Sequence, residues 1–289
     1  MPFRMASRHS RPDSQPQAGV RLASCLAPCL APCLAPCPTP GAALTAQARA
    51  RGAAPALAFP GTGARLGFAQ WDAAATALAR ALADLGLGAG DRIALLAENR
   101  VEWPVVQLAV ARLGAVLVPL NSYYRRHDLA HALGQSEARA IVLSPRFRNN
   151  RYLETVRALR PDLPALETVI AFEDAGEDCH DYATLLARGA KATRALPEVA
   201  PDEVAALLYT SGTTGAPKGA LLTHAAMLAN AWGTAQRLGI GPNHRWTSII
   251  PLFHCAGCIM NLLGCLQSGA CYVGVPAFDP EVMFQVIEA

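Results

Sequence analysis

The chain has 289 residues, 52% of them hydrophobic, and a formal net charge of +3. That length and apolar content suffice for a substantial core, in one large domain or two small ones. The small net charge and 6% aromatic content argue against a nucleic-acid surface, and Arg125–Arg126 and Arg146–Arg148–Arg151 read as solvated faces, with a grip on a phosphorylated cosubstrate as the alternative.

The first forty residues are rich in Arg and Ser, with Asp13 the only acid. Their prolines oppose the amphipathic helix of a transit peptide, and they lack the unbroken apolar region of a secretory signal. Cys25, Cys29, Cys33 and Cys37 fall in the repeat CLAPCLAPCLAPCP. Proline in every unit blocks a continuous helix, and the spacing is unlike that of paired zinc ligands, so low-complexity sequence outweighs a metal or lipid-anchor reading. Residues 1–41 are therefore expected to be a disordered tail on a folded domain of 42–289, and deleting Met1–Pro40 to leave stability unchanged. The other five of the nine cysteines sit in apolar contexts, as in a cytoplasmic enzyme with reduced thiols.

Beyond Leu66, helical and extended patterns alternate. Trp71, Leu78, Leu82 and Leu85 recur at helical spacing before a turn at Gly86–Gly90. Strands are predicted at Arg92–Ala97, Ala115–Leu120, Ala140–Leu143 and Thr168–Phe172, with helices at Val101–Leu113, His127–Leu133 and Tyr152–Leu159 between them. Another strand covers Val204–Tyr209. After Thr223 come a helix, a strand at Thr247–Ile250, a helix within Gly257–Leu266, a strand at Ala270–Val275 and a last helical piece. This alternation predicts an α/β fold with mixed, largely parallel sheets flanked by helices. Gly86, Gly88 and Gly90 precede their strand instead of following it, which excludes a dinucleotide fingerprint. Ile249–Phe278 holds no Asp, Glu, Lys or Arg, yet Pro251 and interspersed glycines divide it, so buried core is expected there over a membrane span. The Cys255/Cys258 pair beside His254 could be a redox or metal pair, but Cys258, Leu262 and Cys265 share one helical face and read as core.

The strand at Val204–Tyr209 runs into YTSGTTGAPKG, with four hydroxyl residues, three glycines and a lysine. Glycines let a backbone approach a ligand, hydroxyls and successive loop amides donate to anions, and a lysine adds charge suited to a polyphosphate. It is not a Walker A loop, because Pro217 stands where that motif needs glycine and Lys218 is followed by Gly219 instead of Ser or Thr. The run LLYTSGTTGAPK resembles at every position the signature loop of the AMP-forming adenylating enzymes, the superfamily of acyl-CoA synthetases, luciferases and peptide-synthetase adenylation domains. GDRIALLAENRVEW, LGAVLVPLN and PLFHCAGCIMNLLGCLQSGA resemble further segments of the acyl-CoA synthetase branch in the family's order, so that the resemblance covers roughly Leu44 to Ala289.

The resemblance implies that Thr210, Ser211, Gly212, Thr213, Thr214, Gly215 and Lys218 contact the phosphates of ATP. A carboxylate attacks the α-phosphate to give an acyl-adenylate, and CoA then displaces AMP. It also implies a place for His254 beside the acyl carboxylate, against which stands a purely structural histidine. Cys258, Met260, Leu262 and Leu263 fit an apolar acyl pocket and core packing equally well. The family's Tyr-Gly-x-Thr-Glu-like stretch, whose Glu helps hold Mg²⁺, its Thr-Gly-Asp stretch and its mobile C-terminal domain have no counterpart here. The expectation is thus an incomplete N-terminal domain of a carboxylate–CoA ligase, without detectable pyrophosphate exchange from these residues alone. The alternative is an inactive fragment acting as a weak nucleotide-binding or interaction module. Expected partners are a small carboxylic acid, ATP and CoA, with no nucleic acid, no membrane span, and peripheral membrane contact left open.

Overall fold

A computed structural model describes residues 37–210, 217–277 and 279–288. Cys25, Cys29 and Cys33 lie outside them. The elements run α1 (Pro40–Arg51), β1 (Pro55–Phe59), β2 (Ala64–Gly67), α2 (Phe68–Asp84), β3 (Arg92–Leu96), α3 (Glu102–Leu113), β4 (Val116–Pro119), α4 (Arg126–Ser136) and β5 (Ala140–Leu143). There follow α5 (Tyr152–Leu159), β6 (Thr168–Ala171), β7 (His180–Asp181), α6 (Tyr182–Lys191), β8 (Val204–Thr210), β9 (Lys218–Thr223) and α7 (His224–Arg237). The remainder is β10 (Arg245–Ser248), a π-helical segment (Ala256–Leu263) continuing as α8 (Gly264–Ser268), β11 (Cys271–Gly274) and α9 (Pro280–Glu288).

Two sheets organise these elements. A seven-stranded sheet has the order β7-β6-β5-β3-β4-β8-β9 and is parallel except for β9, while a four-stranded sheet runs β10-β11-β1-β2 with β2 antiparallel. Alternation along each strand assigns its two faces to different cores. In β3, Ile93 and Leu95 face the central core with α1, α2 and α3, whereas Ala94 and Leu96 face α4 and α5. Leu57, Phe59 and Tyr272 of the small sheet join the same central core, and Ala58, Cys271 and Val273 turn outward to α9. The layering is helix, sheet, helix, sheet, helix.

The expected elements between Trp71 and Val275 are present, and the structure differs from the sequence reading as follows. α1 begins inside the segment read as tail: Thr39 caps it, accepting from Ala42 N (3.2 Å), Pro40 occupies its first turn, and Cys37 packs against the central core. A cut through Pro40 therefore removes a cap worth about 1 kcal/mol; the cut that spares both the cap and the packed Cys37 falls before Cys37. The short amphipathic α6 and the hairpin β1–β2 add to the sequence reading. β9 turns the exit of the phosphate-type loop into an antiparallel edge strand. Finally, β10 ends two residues early, because the buried Ser248 turns its hydroxyl to Asn261 and Ile249 leaves the sheet exposed. Within the stretch free of Asp, Glu, Lys and Arg, residues 249–277 divide into loop, helix, strand and loop, and no helix among the described residues is long and apolar enough to cross a membrane.

Candidate functional site

β8 is parallel to β4, so its carboxyl end delivers the glycine-rich loop to the edge of the sheet where open α/β folds bind ligands. Ser211, Gly212, Thr213, Thr214 and Gly215 lie outside the described residues. Thr210 and Lys218, which flank them, are cross-strand partners, and Thr210 Oγ1 donates to the Lys218 carbonyl at 3.3 Å. A P-loop opens directly into a helix; here the chain first returns as β9. Gly219 faces Tyr209 across the hairpin, and a Cβ there would lie 2.8 Å from Leu207 Cδ2, so the leucine side chain would have to shift. The Lys218 side chain is exposed and pairs with no acid among the described residues.

The strand then turns into α7, whose cap Thr223 accepts from Ala226 N at 3.2 Å. The next residue, His224, is fully buried, and neither ring nitrogen has a partner among the described residues. Burial holds its pKa below the ordinary value of 6.5, against a smaller opposing pull from Glu203. A group with a depressed folded pKa binds its proton more readily in the unfolded chain. The stability His224 contributes as a neutral ring is complete above pH 6.5 and is lost as pH falls toward the folded pKa. Melting curves across that window should show a downward slope that His224→Phe flattens; an unchanged slope would mean the ring is solvated.

His254 stands in the loop between β10 and the π-helical segment. Its side chain is exposed, and Nδ1 accepts the amide of Ala256 at 3.1 Å. A neutral imidazole accepting at Nδ1 carries its proton on Nε2, so the ring offers a donor to solvent while its other nitrogen caps the helix. The structural and the ligand-facing readings are thus compatible in one tautomer. The loop is held from the large sheet by Asn99, just beyond β3. This buried amide donates to Ile250 O (3.2 Å) and accepts from Leu252 N (2.7 Å). On the other side Asn261, with its amide oriented to satisfy its neighbours, donates to Ser248 Oγ (2.9 Å) and Ala256 O (3.0 Å) and accepts from Trp246 Nε1 (3.1 Å). Sequence reasoning gave neither asparagine a role at the site; the available signal was a polar amide just after an apolar run at Asn99 and within one at Asn261.

Beside His254, a cleft of about 270 Å³ is lined by Leu222, Ala226, Met227, Cys255, Ile259 and Met260, with Asn230 at its polar side. It therefore joins the strand leaving the glycine-rich loop to the residue after His254. Met260 lines it, whereas Cys258, Leu262 and Leu263 are buried in the central core. Cys258 is buried whereas Cys255 is exposed, and no group of three His, Cys, Asp or Glu side chains among the described residues could hold a metal ion. A second, polar cleft near the carboxyl ends of β5 and β6 is lined by Arg146, Arg148, Arg151 and Arg157 together with Glu154 and Asp174. Arg151 pairs with Glu154 at 3.1 Å, and the Arg148 guanidinium lies over the Phe147 and Tyr123 rings.

Comparison with known proteins matches residues 44–289 to the family model of the AMP-binding enzymes. The chain is 33% identical to YngI of Bacillus subtilis over 252 residues, covering 81% of this chain and 46% of that protein. It is 32% identical to the acyl-CoA ligase sidI of Aspergillus fumigatus over 259 residues, covering 86% and 44%. Among solved structures, the inhibitor-bound N-terminal domain of FACL13 from Mycobacterium tuberculosis superposes with a TM-score of 0.76 at 26% identity, covering 86% of this chain and 60% of that one. ATP-bound MatB from Rhodopseudomonas palustris gives 0.75 at 25%, covering 87% and 48%. The chain spans less than half the length of these curated relatives. It belongs to the AMP-binding enzyme family, and its fold is that of the N-terminal domain of acyl-CoA synthetases.

Proposed function

We propose that this chain is the nucleotide- and acid-binding part of an ATP-dependent carboxylate–CoA ligase. The carrying observation is the cleft shared by Leu222, on the strand leaving the glycine-rich loop, and Cys255, the neighbour of His254. In this reading Thr210, Ser211, Gly212, Thr213, Thr214, Gly215 and Lys218 hold the β- and γ-phosphates. The Nε2–H of His254 orients the acid's carboxylate, and the apolar cleft takes its acyl body. A carboxylate oxygen attacks the α-phosphorus and pyrophosphate leaves; the CoA thiol then attacks the acyl carbonyl and AMP leaves. The arginine-lined cleft supplies charge for a phosphorylated cosubstrate such as CoA. Mg²⁺ would accompany ATP, but no described residue is assigned to it. The free thiols fit a cytoplasmic setting.

Titration with ATP tests the phosphate role without requiring turnover. Lys218→Ala should weaken binding about tenfold or more, the value of one charge-assisted contact, while leaving melting unchanged. Equal affinity in the two proteins would remove Lys218 from the site.

A further inference from the structure

The largest unassigned feature lies at the other end of the small sheet. There the parallel strands β1, β10 and β11 begin, with the carboxyl end of α1 and the loop before β10 beside them. A cavity of about 550 Å³ opens among them, presenting Arg51, Arg65, Arg245 and His244. No carboxylate lines it among the described residues. Its apolar floor includes Pro55 and Leu66. It cannot belong to the phosphate loop, which emerges from the carboxyl end of a strand in the other sheet.

Three observations make this a site for an anion. Arg51 and Arg65 form no ion pair among the described residues. Arg51 is held by its Nη2 bond to Pro242 O (3.0 Å) and packs over the Phe68 ring, yet its Nε is buried without a partner. The Nη2 bond fixes the guanidinium at the cavity wall. Arg245 lies directly across from Cys271 in the β10–β11 register, which brings a third guanidinium to the same wall. Burial pushes the Cys271 thiol up while Arg245 and Arg65 pull against it, as converging positive charge requires. Guanidinium groups favour phosphate and carboxylate oxygens, and the apolar floor beneath them favours an alkyl group.

We propose that this cavity binds an amphiphilic anion, its phosphate or carboxylate head among Arg51, Arg65 and Arg245 and its alkyl portion along Pro55 and Leu66. Octyl phosphate titrated into the intact chain should occupy one site. Arg65→Gln should weaken it about tenfold, as expected for one charge-assisted contact, and Lys218→Ala should leave it unchanged. The Arg65 side chain is exposed on the edge strand β2 and makes no hydrogen bond among the described residues, so its replacement does not put the fold at risk; Arg51→Gln is the second variant. Inorganic phosphate, which gains nothing from the floor, should bind more weakly than octyl phosphate. Phosphatidylcholine vesicles carrying phosphatidic acid distinguish the ligand's source. Sedimentation with them that Arg65→Gln abolishes assigns the head to a bilayer lipid; octyl phosphate binding without sedimentation assigns it to a free amphiphile. Equal octyl phosphate affinity in the wild type and both arginine variants overturns the proposal. So does loss in Lys218→Ala alone, or inorganic phosphate binding as tightly as octyl phosphate.

Discussion

Lys218→Ala, placed in a complete ligase made by joining this chain to the downstream half of a relative, should slow acyl-adenylate formation and spare the second half-reaction. The lost charge-assisted contact is worth about 1.5–3 kcal/mol. On the proposed assignment, Thr213→Val keeps the residue's shape but removes a hydroxyl donor to the charge developing on the departing pyrophosphate, a loss of roughly 10²–10³ in kcat. Thioester formation from preformed acyl-adenylate should proceed at the wild-type rate in both variants, since pyrophosphate has already left. The structure sharpens the expectation for Lys218. Its backbone, through the carbonyl that accepts from Thr210 and the cross-strand pairing, holds the hairpin, while its side chain is exposed. Truncation at Cβ therefore leaves the ladder intact. Stopped-flow measurement of each half-reaction checks it; equal losses in both, or a lowered melting temperature, would make the loop a structural clasp.

The alternation of apolar strands and amphipathic helices made the large sheet legible, because parallel strands buried on both faces read as continuous apolar runs. β9 was less visible. Its Lys-Gly-Ala opening carries no alternation, and it is a strand because β8 offers an open edge, a tertiary cause without a local signature. α1 was masked by its neighbour: the cysteine–proline repeat runs up to Cys37, and Thr39-Pro40 reads equally as a breaker or as a cap with proline in the first turn. At the site, the residue types that bind phosphate were legible from composition. The supports of His254 were not, since Asn99 holds its loop through Ile250, 151 residues away in sequence. Nor did helical spacing separate Met260, in the cleft, from Leu262 and Leu263, in the core. The segment between Ala256 and Leu263 is π-helical, and its wider turn alters which residues share a face. π-helical turns concentrate at functional sites, and this one directly follows His254.

That turn also exposes a second large effect. A Cβ on Gly257 would lie 2.3 Å from Pro251 O, 2.8 Å from Pro251 C and 3.1 Å from Leu252 Cα. All three are backbone atoms, so no side-chain rotation can make room. The obstructed segment is itself stapled: Pro251 O accepts from His254 N (3.0 Å), and His254 O accepts from Gly257 N (2.8 Å) and Cys258 N (3.0 Å). Gly257→Ala must therefore push the Pro251–His254 loop away from the helix, stretching the two Asn99 bonds that tether it. Overpacking of this kind costs about 1–3 kcal/mol. The same substitution at Gly233, within α7, meets nothing within 4 Å and should stabilise by up to about 1 kcal/mol through helix propensity. Thermal melts of the two variants should shift in opposite directions. In the completed ligase, Gly257→Ala should raise KM for the carboxylic acid well above any change in KM for ATP, because the displaced loop carries His254 and Cys255 and not the phosphate loop. Melting at the wild-type temperature would show that the turn yields without cost, and an equal rise in both KM values would place the damage in the shared core instead of at the acid's end of the site.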